Sequence, residues 1–550
     1  MAKVVFKPYN QGQVCMFPMS LEDKIPIDAP VRLVNQIIDN LDISKIIDTY
    51  KGGGTSCYYP RMMLKVVVFS YLNNIFSCRK IEKENKENIH YMWLSGMQEP
   101  DHNTINNFRS KNLKDSINEI FTQVVLLLVE MDYLSLDTVY FDGTKMESRA
   151  NRYTFVWRKT VEKNKAKLES KIHKILEQID EGIAQDNQPD DDPPHSPINS
   201  EELKERIAKI NREKLSKEDK KAVKTLEENH LPKLQEYEKH LKILGTRNSY
   251  SKTDPDATFM RMKDDHMKNG QLKPAYNLQI GTENQFYTHF DFFPNPADFF
   301  TLIPFFNGFK ARYKKMPKKG IGDSGYGSEE NYEFMQNNDI ESFVKYPLFH
   351  AEQKEKYKNN VFRSQNLYYN PEKDYFVCPM GQHMEKVGHS TRKSESGYVS
   401  NTTSYEAKNC SNCPLKCLCY NAEGNRRIEI NHKLNQYRQK VRELLTSEEG
   451  LLHRSRRPIE PEAVFGQTKA NKQYYRFRHF GLDKIKMDFA IFAIAFNIGK
   501  LCNKRKKNAN NSEKSSFFTK IQTVFIVVVI LWNKENSARN ILGSLNKMAA

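Results

Sequence analysis

The sequence has no apolar segment long enough to cross a bilayer. Its longest apolar run, "VFIVVVILW" from Val524 to Trp532, is nine residues, against the roughly 20 that a spanning helix needs. That run reads as a buried element or an aggregation-prone tail. An apolar signal core is also missing: Met1 opens the polar stretch "MAKVVFKPYNQGQ", so secretion is not expected. The expectation is a soluble, cytoplasmic protein with no membrane partner. In that reducing compartment the nine cysteines are not expected to form disulfides, and a cysteine cluster points to a metal. Acid is short as well. Lys plus Arg number 85 against 68 Asp plus Glu, a net +17, and such an excess favours polyanionic partners. The basic residues crowd into the last third, in "HRSRRP", "YYRFRHF" and "NKRKKN".

A chain of 550 residues predicts two or three domains. Residues from about Val31 to Val129 read as short helices punctuated by Pro60 and Pro100, with Ser77 and Asp101 as N-caps. Arg109, Lys111 and Lys114 on one of them suit a helix-turn-helix-like DNA module, though a purely structural scaffold reads the same way. "LDTVYFDGTKMES" predicts a strand over Asp137 to Phe141, with Asp142 at its end. Charged amphipathic helices follow, with Leu168, Ile172, Ile175, Ile179 and Ile183 on one face and an acidic, Pro-rich break before the pattern resumes. They predict an inserted helical hairpin. "AYNLQIGTENQFYTHFDFFP" reads as two strands around a turn, and "KKGIGDSGYGS" ends a short strand at Asp323. Strands that alternate with helices argue for a mixed sheet flanked by helices.

Two-metal phosphodiester cleavage needs carboxylates on rigid elements, because magnesium prefers a few carboxylates plus water and phosphate oxygens. Asp142 and Asp323 fit in type and place, although an Asp before Gly at a strand end also serves as a turn residue. A third acid lies in "RSRRPIEPEAVFGQTKANKQYYRFRHFG". Each helical residue advances about 100°, so Glu462 and Lys469, seven positions apart, share a face. Glu460 points the other way. Pro461 suits a first helical turn, which makes Glu460 the cap and Glu462 either a site residue or an acid that complements the helix dipole. The tyrosines and arginines of "YYRFRHF" suit aromatic packing or base stacking beside phosphate-binding arginines.

Five of the nine cysteines lie in one polar region from Lys354 to Arg427. Cys378 stands in "FVCPMGQ", and "CSNCPLKCLC" supplies Cys410, Cys413, Cys417 and Cys419. A CxxC with two more thiols can make a tetrahedral zinc site. The expected ligands are Cys378, Cys410, Cys413 and either Cys417 or Cys419, in a structural role.

"VYFDGTKMESRANRYTFVW", "TDPDATFMRMK", "KPAYNLQIG", "GDSGYGSEENYEF" and "RPIEPEAVFGQTK", in this order, resemble the bacterial insertion-sequence transposases of the DDE class, the insertion-sequence 1182 family in particular. "YYPRMMLKVVVFSYLNNIFSCRKIEKE" and "PDHNTINNFR" resemble the helical N-terminal domain of that family. The resemblance implies an α/β fold with an RNase H-like mixed-sheet core. It implies Asp142, Asp323 and Glu462 as the catalytic, magnesium- or manganese-binding set and Lys469 as a phosphate contact. The chain departs from relatives that carry a Tyr and an Arg before the Glu. Here those positions hold Ser455 and Pro458, and Arg456 and Arg457 are the neighbouring candidates. With Arg476 and Arg478 they form the expected DNA-binding set.

The implied organisation has a helical DNA-binding domain at 1–130, a core at 131–155, 250–348 and 431–505, a helical insertion at 156–249, a Cys-rich insertion at 349–430 and a tail at 506–550. The implied activity is cleavage at the ends of an insertion sequence and strand transfer into target DNA. Double-stranded DNA is the partner, held by a homo-oligomer at a bacterial nucleoid. The rival readings are an RNase H-like nuclease without strand transfer and an inactive, transposase-derived DNA-binding protein.

Overall fold

The computed structural model describes residues 20–50, 56–183, 198–210, 215–262 and 270–511. The apolar run at Val524 to Trp532 lies outside them, as does most of the acidic, Pro-rich break. The chain divides into two compact units. One takes in the described residues up to Val139, Thr282–Thr288 and the described residues from Lys486 onward. The other takes in Tyr140–Gly281 and His289–Ile485. Among the described residues no helix is long and apolar enough to cross a membrane.

The first unit is largely helical. Its helices include Pro30–Asp39, Pro60–Leu72, Cys78–Glu87, Ile89–Ser95, His102–Asn107 and Ile117–Glu130. Pro30 and Pro60 each open a helix where the missing N–H costs nothing. Asp101 caps the next-to-last of these by accepting from Thr104 N at 2.7 Å, whereas Ser77 sits at an N-cap position without a side-chain cap bond. Val31, Val34, Ile38, Leu64, Val67 and Val68 are fully buried.

Of the two readings left open for Arg109, a DNA contact and a part of the helical scaffold, the structure favours the second. Arg109 is 3% exposed, and its Nη2 lies 2.6 Å from Asp488 Oδ1. The Tyr71 hydroxyl donates to the same carboxylate, and Arg109 also donates to the Phe76 carbonyl at 3.0 Å. A buried guanidinium needs such partners. Sequence charge alone could not reveal one that is 379 positions away.

In the second unit the chain enters strand β1 (Thr138–Glu147). It leaves through a two-stranded ribbon, β2 (Phe155–Trp157) against β3 (Ser249–Ser251), which brackets the helical insertion. Instead of a simple hairpin, the insertion holds helices Arg158–Ile183, Ser200–Lys209, Lys217–Thr225 and Leu231–Leu244. Ile172, Leu176, Ile179, Leu203, Leu226 and Leu234 form its core, and Leu168 and Ile175 pack on the edge. The side chain of Ile183 is outside the described set. A π-helical turn, Leu226–His230, precedes the last of these helices. Pro232 then falls in a first helical turn, where it is tolerated.

The main sheet is completed by β4 (Thr258–Arg261), β5 (Leu272–Glu283), β6 (Phe286–Phe293), β7 (Lys319–Gly322) and β8 (Glu341–Val344). Its order is β4-β5-β1-β7-β8, with β6 also paired to β5. The β4/β5 pair is antiparallel and β7/β8 is parallel, so the sheet is mixed, as expected. Strand β1 is internal. Its Phe141 ring packs against Phe305 and Phe306 of helix Leu302–Tyr313 and against Tyr326, with centroids 4.9–6.2 Å apart. Each such pair adds about 0.5–1.5 kcal/mol beyond area burial.

The Cys-rich region holds a structure that its composition hid. Strands β9 (Tyr368–Asn370), β10 (Tyr375–Val377), β11 (His383–Lys393), β12 (Val399–Ala407) and β13 (Arg427–Ile430) form a second sheet. It is antiparallel throughout, in the order β13-β12-β11-β10-β9. Phe376, Met384, Tyr405, Ile428 and Ile430 are its core, and Cys378 and Cys410 pack against them. Two of the five clustered thiols therefore sit against a small apolar core rather than in an open polar loop.

Candidate active site

Asp142 lies within β1, not at its end. The strand continues to Glu147 because β5 and β7 pair with it on both sides. Gly143 allows this continuation. A Cβ there would stand 2.1 Å from Gln279 Nε2 and 2.7 Å from Asp298 Oδ1. Asp323 directly follows β7 and sits at the N-cap position of the short turn Ser324–Tyr326 without a side-chain cap bond. Gly322, before it, lets the Phe141 ring approach, since a Cβ there would stand 2.5 Å from that ring.

The third acid comes from a helical path that differs from the expected one. No helix starts at Pro461. Helix Glu448–Arg456 runs on through π-helical Pro458–Glu462, then Ala463–Gly466, then π-helical Gln467–Asn471. Glu460 is therefore not a cap; it is buried inside this path, while Glu462 is half-exposed. The helix is fixed against β1 by His453, whose Nδ1 lies 2.8 Å from the Tyr140 hydroxyl. Lys469 Nζ donates to Thr144 Oγ1 of β1, the strand that carries Asp142, at 2.8 Å.

One guanidinium joins the three acids. Arg457 Nη2 is 3.0 Å from Asp142 Oδ2 and 3.6 Å from Asp323 Oδ2, and its Nη1 is 2.9 Å from Glu462 Oε1. The side chains of Asp323 and Glu462 are 47% and 50% exposed, whereas those of Asp142 and Arg457 are 17% and 9% exposed. Burial pushes the Asp142 carboxyl up to about 6. Arg457 pulls the other way, and the charges of Asp323 and Asp298 add to the rise. Asp298 is a fourth acid beside the site that sequence reasoning missed. It accepts from Asn277 Nδ2 at 2.8 Å and Gln279 Nε2 at 2.9 Å. Its only sequence signal was the Asp of "NPADFF", which reads as an ordinary helix-start residue.

The other basic residues divide. Arg456 is exposed. Arg476 is committed within the unit, donating to the Ser148 carbonyl at 3.1 Å and lying 3.6 Å from Glu147. Arg478 stacks over the Tyr474 ring at 5.7 Å. Tyr474 is buried and Tyr475 is 65% exposed, so the first packs and only the second is presented outward.

In the second sheet, Cys378, Cys410, Cys413 and Cys419 line one pocket, and exposed Cys417 does not. Gly381, at φ +78, closes a turn in which its N–H donates to the Cys378 carbonyl at 2.8 Å. Backbone Arg426 N donates to Cys410 Sγ at 3.3 Å, and Arg426 Nη1 to Cys419 Sγ at 2.9 Å. Among the described residues no three His, Cys, Asp or Glu side chains converge into a ready-made metal site. In both clusters an arginine stands against the ligand-type atoms.

The chemistry of the main site is that of an acidic cluster on the central strands of the sheet with basic residues around it. Residues 377–502 match the family model of the transposase DDE domain. Residues 19–111 match that of a second transposase domain, DUF772. The first match includes Glu462, Lys469 and all five clustered cysteines, and it begins after Asp142 and Asp323. The comparison with curated proteins found no match. The two matches support a DDE transposase of the insertion-sequence kind, an enzyme of the polynucleotidyl transferase or endonuclease type with DNA as its partner.

Proposed function

We propose that the chain is a transposase of the insertion-sequence 1182 kind, with an RNase H-like core. It cuts phosphodiester bonds at the ends of its element and joins the freed ends to target DNA. The observation that carries this is the meeting of Asp142, Asp323 and Glu462 on one guanidinium, from a central strand, the end of its neighbour and a late helix.

The donor set fits a hard divalent cation. Three carboxylates against one arginine leave an excess of negative charge. Asp142, Asp323 and Glu462 would hold magnesium or manganese, which when bound activates the attacking hydroxyl and stabilises the leaving oxygen. Asp142, the most buried of the three, anchors the site to the sheet. Lys469, fixed along β1 by Thr144, holds a backbone phosphate, and exposed Arg456 extends that contact outward. Arg476 serves indirectly by tying its segment to β1. The setting is a homo-oligomer on bacterial nucleoid DNA.

We also propose a structural zinc on Cys378, Cys410, Cys413 and Cys419, supported by their common pocket and the N–H···S bonds at Cys410 and Cys419. The functional test is to incubate the protein with magnesium and DNA carrying the element's ends, then map the products. Cut ends joined to target DNA are expected. Cutting without joining supports the plain nuclease instead, and binding without cutting supports the inactive descendant.

A further inference from the structure

The three acids of the candidate site already share a cation, and it belongs to the protein. The Arg457 guanidinium meets a carboxylate oxygen of each. Its Nε is buried without a hydrogen-bond partner, so the hydrogen bonds and ion pairs that hold this guanidinium run through Nη1 and Nη2 to the site's acids. We propose that Arg457 is a resident counter-ion. It holds the three carboxylates together in the metal-free protein and is displaced when a divalent cation enters. This rests on the reading of Asp142, Asp323 and Glu462 as metal ligands.

Three carboxylates around one point repel each other unless a positive charge lies among them. Arginine suits that place. Its planar fork can serve several carboxylates at once, and it stays charged at any working pH. For the same reason it cannot be neutralised to make room; it has to move. Its position allows this. Arg457 stands at the N-terminal boundary of the π-helical turn Pro458–Glu462, and such turns recur where a helix is locally adapted for function. Its neighbours Ser455, Arg456 and Pro458 are exposed. The Asp323 and Glu462 side chains it bridges are each about half-exposed, so the open side of the cluster offers a route outward. The buried, unpartnered Nε makes the present seat less than fully satisfying. Arg457 is then a positioning residue. It keeps the acids in reach of one another and sets how readily a cation replaces it.

The test uses the full chain and Mn²⁺ alone, with binding read by loss of the free-ion resonance signal and stability by thermal melting. Removing the competing charge in Arg457→Gln should tighten Mn²⁺ binding by about tenfold or more. The same variant should melt lower than the original protein in chelator and regain more of its Tm on adding Mn²⁺. Asp142→Asn in the same background should abolish the tight binding, which ties the signal to this cluster. If Arg457→Gln binds Mn²⁺ no more tightly while binding still depends on Asp142, the counter-ion proposal is overturned and the metal-ligand reading stands. If neither protein shows Asp142-dependent binding, both fall. Should Arg457→Gln fold only when Mn²⁺ is present, the proposal is supported. Should it fold in neither condition, Arg457→Lys makes the same comparison. A single ammonium cannot span three carboxylates, so an intermediate affinity supports the proposal and an unchanged one overturns it.

Discussion

Asp488→Ala tests the buried pair that removes Arg109 from the DNA-facing set. In the folded protein the two side chains are 4% and 1% exposed and bond at 2.6 Å. The Tyr71 hydroxyl completes the cluster, with burial raising its own pKa well above the usual tyrosine range. Deleting the carboxylate leaves a guanidinium that stays charged and is sealed from water. Its neutral partners, among them the Phe76 carbonyl, the Tyr71 hydroxyl and Cys78 Sγ, supply dipoles but no opposite charge. Breaking a buried pair in this way costs about 3–5 kcal/mol. For a unit of this size each kcal/mol lowers Tm by about 2–4 °C, so the expected drop is roughly 6–20 °C. Calorimetric melting or denaturant unfolding measures it. The double change Arg109→Met with Asp488→Leu should recover much of the loss, because replacing both charges with apolar groups removes the orphan. A change within about 1 kcal/mol for Asp488→Ala would refute the reasoning. It would mean that Arg109 reaches water and is again available to DNA.

Two further outcomes are expected. Metal analysis of purified protein should find close to one zinc per chain. Cys419→Ser should lose it while Cys417→Ser keeps it, and the reverse pattern would overturn the choice of Cys419 as fourth ligand. Glu130 ends helix Ile117–Glu130, and burial raises its carboxyl from the ordinary 4.5 to about 7. The folded state therefore holds a proton that the unfolded chain releases. Its contribution is full below about 4.5 and is lost as pH rises towards 7. Glu130→Gln should flatten that decline in a stability-versus-pH series; an unchanged slope would contradict the assignment.

Some of this architecture was legible in the sequence. Alternating, β-branched "VYF" before Asp142 marked β1, and the apolar stretch before Asp323 marked β7. A spacing of seven placed Glu462 and Lys469 on one face; in the structure Lys469 bonds Thr144 of β1, and Glu462 pairs with Arg457, which itself pairs with Asp142 of β1. The misses have physical causes. Gly143 looked like a stop, but a strand paired on both sides runs through it, and the glycine is needed for the approach of Gln279 and Asp298. Pro461 looked like a helix start, but the wider π-turn accommodates it inside a continuous helical path. Arg457 was grouped with DNA-binding residues because its partners are acids up to 315 positions away. The β11–β12 hairpin read as a polar loop because much of it faces water, including most of β11. Its small core becomes visible only once Met384 and Tyr405 pack together.

The central claim is that Asp142, Asp323 and Glu462 together perform strand cleavage. The direct measurement compares the original protein with Asp142→Asn, Asp323→Asn and Glu462→Gln in cutting end-labelled DNA from the element termini with magnesium, alongside binding of the same DNA. Each variant should bind DNA about as well as the original and yield no cut strand. Undiminished cleavage by these variants would contradict the account.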